Sequence, residues 1–189
     1  MGLLDVLFGR KRLKDASVER LFALSTAQVT LDVDLGLKPA GIAAVCFKPL
    51  SAGEFVRAEN EMQELLEVVA KDSGARVSRQ SDDLGFEWLI VKDNDLEDLV
   101  TAVNLIASEL KARGFGGQLL AAIFRFEGGK RPVFWIYGFK RNAFWPFVPT
   151  GKDQERDNAE ELELKAKLEK ELPIEKDLTR WLALFDAPV

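Results

Sequence analysis

A chain of 189 residues, 47% hydrophobic and 30% charged, has the make-up of a soluble globular protein with enough apolar mass for one sizeable core. It contains no histidine, the commonest general acid or base near neutral pH and the commonest transition-metal ligand, so Ser-His-Asp, Cys-His and His-rich zinc sites are excluded. A net charge of -5 argues against a dedicated nucleic-acid binder, and neither a membrane span of roughly 18 to 20 apolar residues nor a secretion-signal core of roughly 7 to 15 is present, so a cytoplasmic place is expected.

The first 14 residues form a segment of their own, ahead of a single domain over residues 15–189. Leu3, Leu4, Leu7 and Phe8 fall on one helical face, and Arg10, Lys11, Arg12 and Lys14 follow. An apolar stripe beside cations is the pattern of a segment that lies on an anionic membrane surface or docks in a partner's groove. The competing reading packs the same stripe on the domain's own core, because so short a helix is marginal unless it buries against something.

Ser17 is placed to cap a short helix through Leu24. Val29, Leu31, Val33 and Leu35 then alternate with Thr30, Asp32 and Asp34, which predicts a half-buried strand over 28–35. Gly36, Pro39 and Gly41 turn the chain into a second strand, Ile42 to Phe47, where Cys46 reads as a structural thiol. Ser51 and Glu54 form a capping box for a helix with Phe55, Ala58, Met62, Leu65 and Val69 on one face, stopped by Gly74. A polar strand over 75–81, a turn at Asp82 to Gly85 and an apolar strand over 86–91 follow. Asn94, with Glu97, is the expected cap of the next helix, whose buried stripe is Leu96, Leu99, Val103, Ile106 and Leu110 and whose stop is Gly114. Strand, strand, helix therefore occurs twice.

The stretch from Leu119 to Pro149 enlarges that order into a three-stranded meander, with turns at Glu127 to Arg131 and at Lys140 to Asn142. It holds nine of the chain's aromatic residues, which number 13 Phe, four Trp and one Tyr, and that ring area is enough to seed a core. Pro146 cannot donate a ladder hydrogen bond, so Ala143 to Val148 belongs at a sheet edge, where Trp145 and Phe147 are candidates for contact with a partner protein. Beyond Thr150 the chain turns charged and helix-forming. Leu164, Leu168 and Leu172 make its apolar stripe, Pro173 ends it, and Asp177 is placed to cap a last helix with Leu178, Trp181, Leu182 and Phe185 inward.

No constellation points to a reaction. Gly114, Gly116 and Gly117 follow a helix and precede a strand, the reverse of a phosphate loop, and read as a helix stop and turn. Glu160, Glu161, Glu163, Glu169 and Glu171 are interspersed with Lys165, Lys167 and Lys170, which makes a solvated, ion-paired helix face. Arg125, Lys130, Arg131, Lys140 and Arg141 among the meander's rings have the composition of a stacking platform for single-stranded nucleic acid, but rings on strands more often form core. No metal or cofactor motif is present.

Several stretches resemble the PspA-associated protein PspAB family of the phage-shock system. They are MGLLDVLFGR, Ala44 to Phe47, Gly85 to Leu89, Gly114 to Gly116, Phe144 to Phe147, Arg156 to Asn158, LPIEKDLTRW and Ala187-Pro188. The resemblance implies association with phage-shock protein A, a coiled-coil protein that binds stressed membranes, and so a place at the inner face of the membrane. It brings no catalytic residues with it.

The expectation is an α+β domain with a largely antiparallel sheet and helices mainly on one face. The expected role is that of a non-enzymatic adaptor or regulator in envelope stress. A small-molecule pocket or enzyme under the aromatic sheet, and a nucleic-acid module, are the rivals. A deep pocket with convergent polar groups would favour the former, and a buried meander would count against the latter.

Overall fold

A computed structural model describes residues 20–48, 52–152 and 154–189, with side chains described from residue 62 onward in the helix that follows residue 51. The segment with Leu3, Leu4, Leu7, Phe8, Arg10, Lys11 and Arg12 lies outside the described residues, as do Ser17 and Ser51.

The chain folds as α+β around one six-stranded antiparallel sheet. The first described element, α1, is mostly helical across residues 20–29 and widens into a π-helical turn at Thr30–Asp34. The strand expected over 28–35 is therefore not formed. Leu21, Leu24, Ala27 and Leu31 recur at spacings of three and four and are all buried, whereas Val29 and Val33 are 70% and 76% exposed. The residues satisfy either period, and docking of the helical stripe in the core selects the helix.

Strand β1 (Lys38–Phe47) follows, longer than the expected 42–47 because it continues past a register shift between Pro39 and Ala43. Gly41 sits in that shift with φ +75, a conformation that glycine adopts without strain. Helix α2 (Ala52–Ser73) leads to β2 (Arg76–Ser81) and β3 (Glu87–Lys92). Helix α3 (Leu96–Ala112) is capped by Asp95, whose carboxylate accepts from the N–H groups of Glu97 and Asp98, so the cap is one residue later than Asn94. Asp95 has the extended backbone that a cap requires.

The meander forms as expected from β4 (Leu119–Glu127), β5 (Val133–Gly138) and β6 (Ala143–Phe147), and α4 (Asn158–Leu168) follows. The strand order is β2-β3-β1-β4-β5-β6, which puts β6 at one edge and the polar β2 at the other. Strand, strand, helix is realised by β2-β3-α3 and, enlarged, by the meander and α4. The first instance has lost its leading strand to α1.

Alternation along the strands divides the core in two. Ala43, Val45, Phe47, Leu89, Val91, Ala122, Phe124, Phe126, Trp135 and Tyr137 face the helices, where α1 to α4 bury Leu24, Leu65, Val103, Ile106 and Leu168 against them. Ala44, Cys46, Trp88, Ile90, Ala121, Ile123, Ile136, Trp145 and Phe147 face the other way. Among the described residues no helix packs on this second face. It is covered by the last 17 residues, where the expected final helix shrinks to one 3-10 turn (Leu178–Arg180). Leu178 and Leu182 are exposed there, and Trp181 is buried.

Candidate functional site

The tail-covered face carries the features that set this molecule apart from a closed two-layer domain. The tail is stitched to it at β6. Phe144 N–H donates to Pro173 O (2.8 Å) and Glu175 N–H donates to Phe144 O (2.9 Å), a short parallel bridge that occupies part of the edge. Trp145 Nε1 donates to Leu182 O (2.9 Å), and Trp181 Nε1 donates to Glu175 O (3.0 Å). The ring of Phe185 meets that of Phe147 edge-on, with centroids 5.0 Å apart.

Arg156 ties three elements together. Its Nε donates to both oxygens of Glu161 (2.9 Å each), its Nη1 donates to Trp181 O (2.7 Å), and its guanidinium lies 5.4 Å from the centre of the Phe147 ring. Glu161 is 1% exposed and also accepts from Val148 N–H (2.9 Å). It was expected on a solvated face. It is buried instead because Arg156, just ahead of α4, reaches back to neutralise it. Asp157 caps α4 and takes Arg131 at 2.6 Å, and those donors hold its carboxyl below the usual 3.8. The other carboxylates named on this helix, Glu160, Glu163, Glu169 and Glu171, are at least partly open to solvent.

Between sheet and tail lies a cavity of about 670 Å³. Its floor is one transverse row of the sheet in which Trp88 pairs with Cys46, Cys46 with Ala121 and Ala121 with Gly138. Three small residues on three central strands leave the hollow, and Trp88 and Trp145 flank it. A Cβ on Gly138 would stand 2.9 Å from Cζ3 of Trp145, so any larger residue there would have to displace that ring. Leu182 to Ala187 supply the roof.

Turns close the ends of the row. At the β2–β3 turn, Asp82 accepts from Leu84 N–H (3.0 Å), Phe86 N–H (2.8 Å) and Trp88 Nε1 (2.8 Å). Burial by itself would raise this carboxyl, but those donors outweigh it and hold it below 3.8. Burial, and after it the charge of Asp82, pushes the Cys46 thiol up to about 12, so the thiol on the floor is neutral and a poor nucleophile. At the β5–β6 turn, Asn142 takes the left-handed conformation (φ +52) and leaves Lys140 and Arg141 on the rim. Arg141 lies 3.8 Å from Glu175, and Arg180 lies 2.9 Å from Asp177. Lys140 has no ion pair among the described residues.

Trp145 and Phe147 are thus 4% and 1% exposed, with both rings turned into the tail-covered core. The rings of Phe124, Phe126, Trp135, Tyr137 and Phe144 are committed to the helix-side core, so these five offer no surface on which bases could stack. Composition had no way to reveal the cavity, although Cys46, Ala121 and Gly138 as the small residues of otherwise bulky strands were its signal. Arg156 as a clamp was hidden because Glu161 sits in a run of charged residues. Among the described residues no cluster of metal-ligating side chains occurs, and no helix is long and apolar enough to cross a membrane.

A family model described as PspA associated protein B (PspAB) matches residues 1–189. No curated protein and no solved structure is matched.

Proposed function

This chain belongs to the PspA-associated protein B family, and from that membership we propose that it is a non-enzymatic adaptor or regulator of the phage-shock envelope-stress response. The family match over the whole length is the observation that carries the reading, and it supports association with the PspA system. Within that association the protein acts by contact. Leu3, Leu4, Leu7 and Phe8 dock in the partner or enter the bilayer surface, and Arg10, Lys11 and Arg12 supply attraction to anionic lipid at the inner face of the membrane. Trp145 and Phe147 add to the contact only when the tail leaves them, since both rings now pack beneath it.

The residues themselves support a non-enzymatic role without nucleic acid. The chain has no histidine, its one thiol is held neutral by burial, and Asp82 spends its oxygens on three N–H donors. The meander's rings and the net charge of -5 give no platform for a polyanion.

Mixing the purified protein with the phage-shock A homologue of the same cell, with and without residues 1–14, tests the reading. Co-elution on a sizing column that is lost on deletion is the expected result. Separate elution of the full-length chain would overturn direct contact, and unchanged binding of the deletion to both partner and anionic vesicles would overturn the role of the amphipathic end.

One observation favours a second reading, a small-molecule-binding module. It is the cavity under the tail, whose size is within the roughly 300 to 1,000 Å³ usual for ligand pockets.

A further inference from the structure

The cavity has a length and a polarity as well as a volume. Its floor crosses from Trp88 on β3 through Cys46 on β1 and Ala121 on β4 to Gly138 on β5, against which the ring of Trp145 on β6 lies. Three inter-strand steps at about 4.8 Å make this row about 14 Å long, and the apolar lip at one end and the cationic rim at the other extend it. An elongated trench suits an extended chain better than a compact ring system.

The two ends differ in charge. At the β5–β6 end stand Lys140, Arg141 and Arg180, and among the described residues only the last two have an ion-pair partner. At the other end Leu84 and Phe86 form an apolar lip, and the one carboxylate there, Asp82, is already taken up by three N–H donors. Among the described residues Asp186 is the only other acid along the lining. The floor is apolar, and on the roof Leu182 O is taken by Trp145 Nε1. A peptide would turn N–H and C=O groups toward that floor and leave them unpaired. A hydrocarbon brings none.

We propose that this trench binds a single-chain amphiphile, an unbranched long-chain carboxylate. Its anionic group sits at Lys140 and its chain lies across the strands over Cys46 and Ala121 toward Trp88. The inference builds on the second reading above and does not depend on the phage-shock partner.

Titrating the full-length protein with sodium palmitate below its micellar range, by calorimetry and by tryptophan emission, tests it, because Trp88 and Trp145 flank the trench. Saturable binding of one palmitate per chain is expected, with weaker binding of hexadecanol, which lacks the charge, and of octanoate, which is too short to fill the trench. Lys140→Glu reverses the charge of an exposed side chain and should weaken palmitate about fivefold, the upper range of an exposed ion pair. Ala121→Trp fills the floor and should abolish binding, with its melting temperature measured alongside. If that variant does not fold, Lys140→Glu and hexadecanol still decide. Absence of saturable palmitate binding would overturn the site. Equal affinity for hexadecanol, or no loss in Lys140→Glu, would overturn the placement of the anion. Binding to phosphatidylglycerol vesicles without binding of free palmitate would also overturn the trench. Co-elution with the phage-shock A homologue is a separate measurement, so either reading can fail alone.

Discussion

The two faces of one sheet are closed by different means. On the helix side, bulky residues of β1, β4 and β5 meet four helices and bury completely, with Phe47, Phe124, Phe126, Trp135 and Tyr137 filling the layer. On the other side, a tail of little regular structure spans the sheet, fastened by backbone bonds at β6, by Trp145 and by Arg156, and it leaves a trench where Cys46, Ala121 and Gly138 are too small to reach it. A helix presents a continuous apolar stripe and can exclude water along its length, whereas a strap of chain touches at points. The closed face supplies stability, and the strapped face leaves room for a ligand.

The largest test of this contrast is the fastening. Arg156→Ala leaves Glu161 buried without its counter-charge and cuts the bond to Trp181 O, and is expected to cost about 3–5 kcal/mol in urea unfolding. Glu161→Gln, which keeps an acceptor for Val148 N–H, is expected to cost less. A loss below about 1 kcal/mol for Arg156→Ala would mean that the clamp does not hold the tail.

Adjacent alanines on β4 compare the faces directly, because Ala122 points at the helices and Ala121 at the trench. Ala122→Leu overpacks a closed layer and should cost about 1–3 kcal/mol, while Ala121→Leu enters open space and should leave the melting temperature nearly unchanged. Equal penalties would show that the trench is closed in solution.

A smaller effect is expected in acid. The carboxyl of Asp82 is lowered in the folded state, so its stabilising contribution is complete above the ordinary 3.8 and is lost as pH falls through the folded value. Asp82→Asn should flatten that acid limb of stability, and an unchanged limb would place the acid sensitivity elsewhere. The smallest perturbation is chemical: Cys46, held neutral by burial, should react slowly with a thiol reagent in the native state and readily after unfolding. Rapid native labelling would show that the tail opens often.

Much of this was legible from residue order. The meander's three strands, the stripe of α3 and the edge position of β6 follow from period-2 and period-3.6 patterns that are long and consistent. The patterns failed where a short run satisfied two periods, as at 28–35, and where a role depended on distant partners. Trp145 and Phe147 look like exposed edge rings until Leu182 and Phe185, nearly 40 residues later, are laid over them.

What the amino-acid sequence by itself determined is the alternation of the strands, the amphipathic stripes of the helices and membership of a family, because these depend on near neighbours or on the whole string. What only the tertiary structure decided is which face the tail covers, that Glu161 is neutralised in the core and that Cys46, Ala121 and Gly138 line up in one row. Those three residues are separated by up to 92 positions along the chain and become neighbours only through strand register, which long-range packing sets.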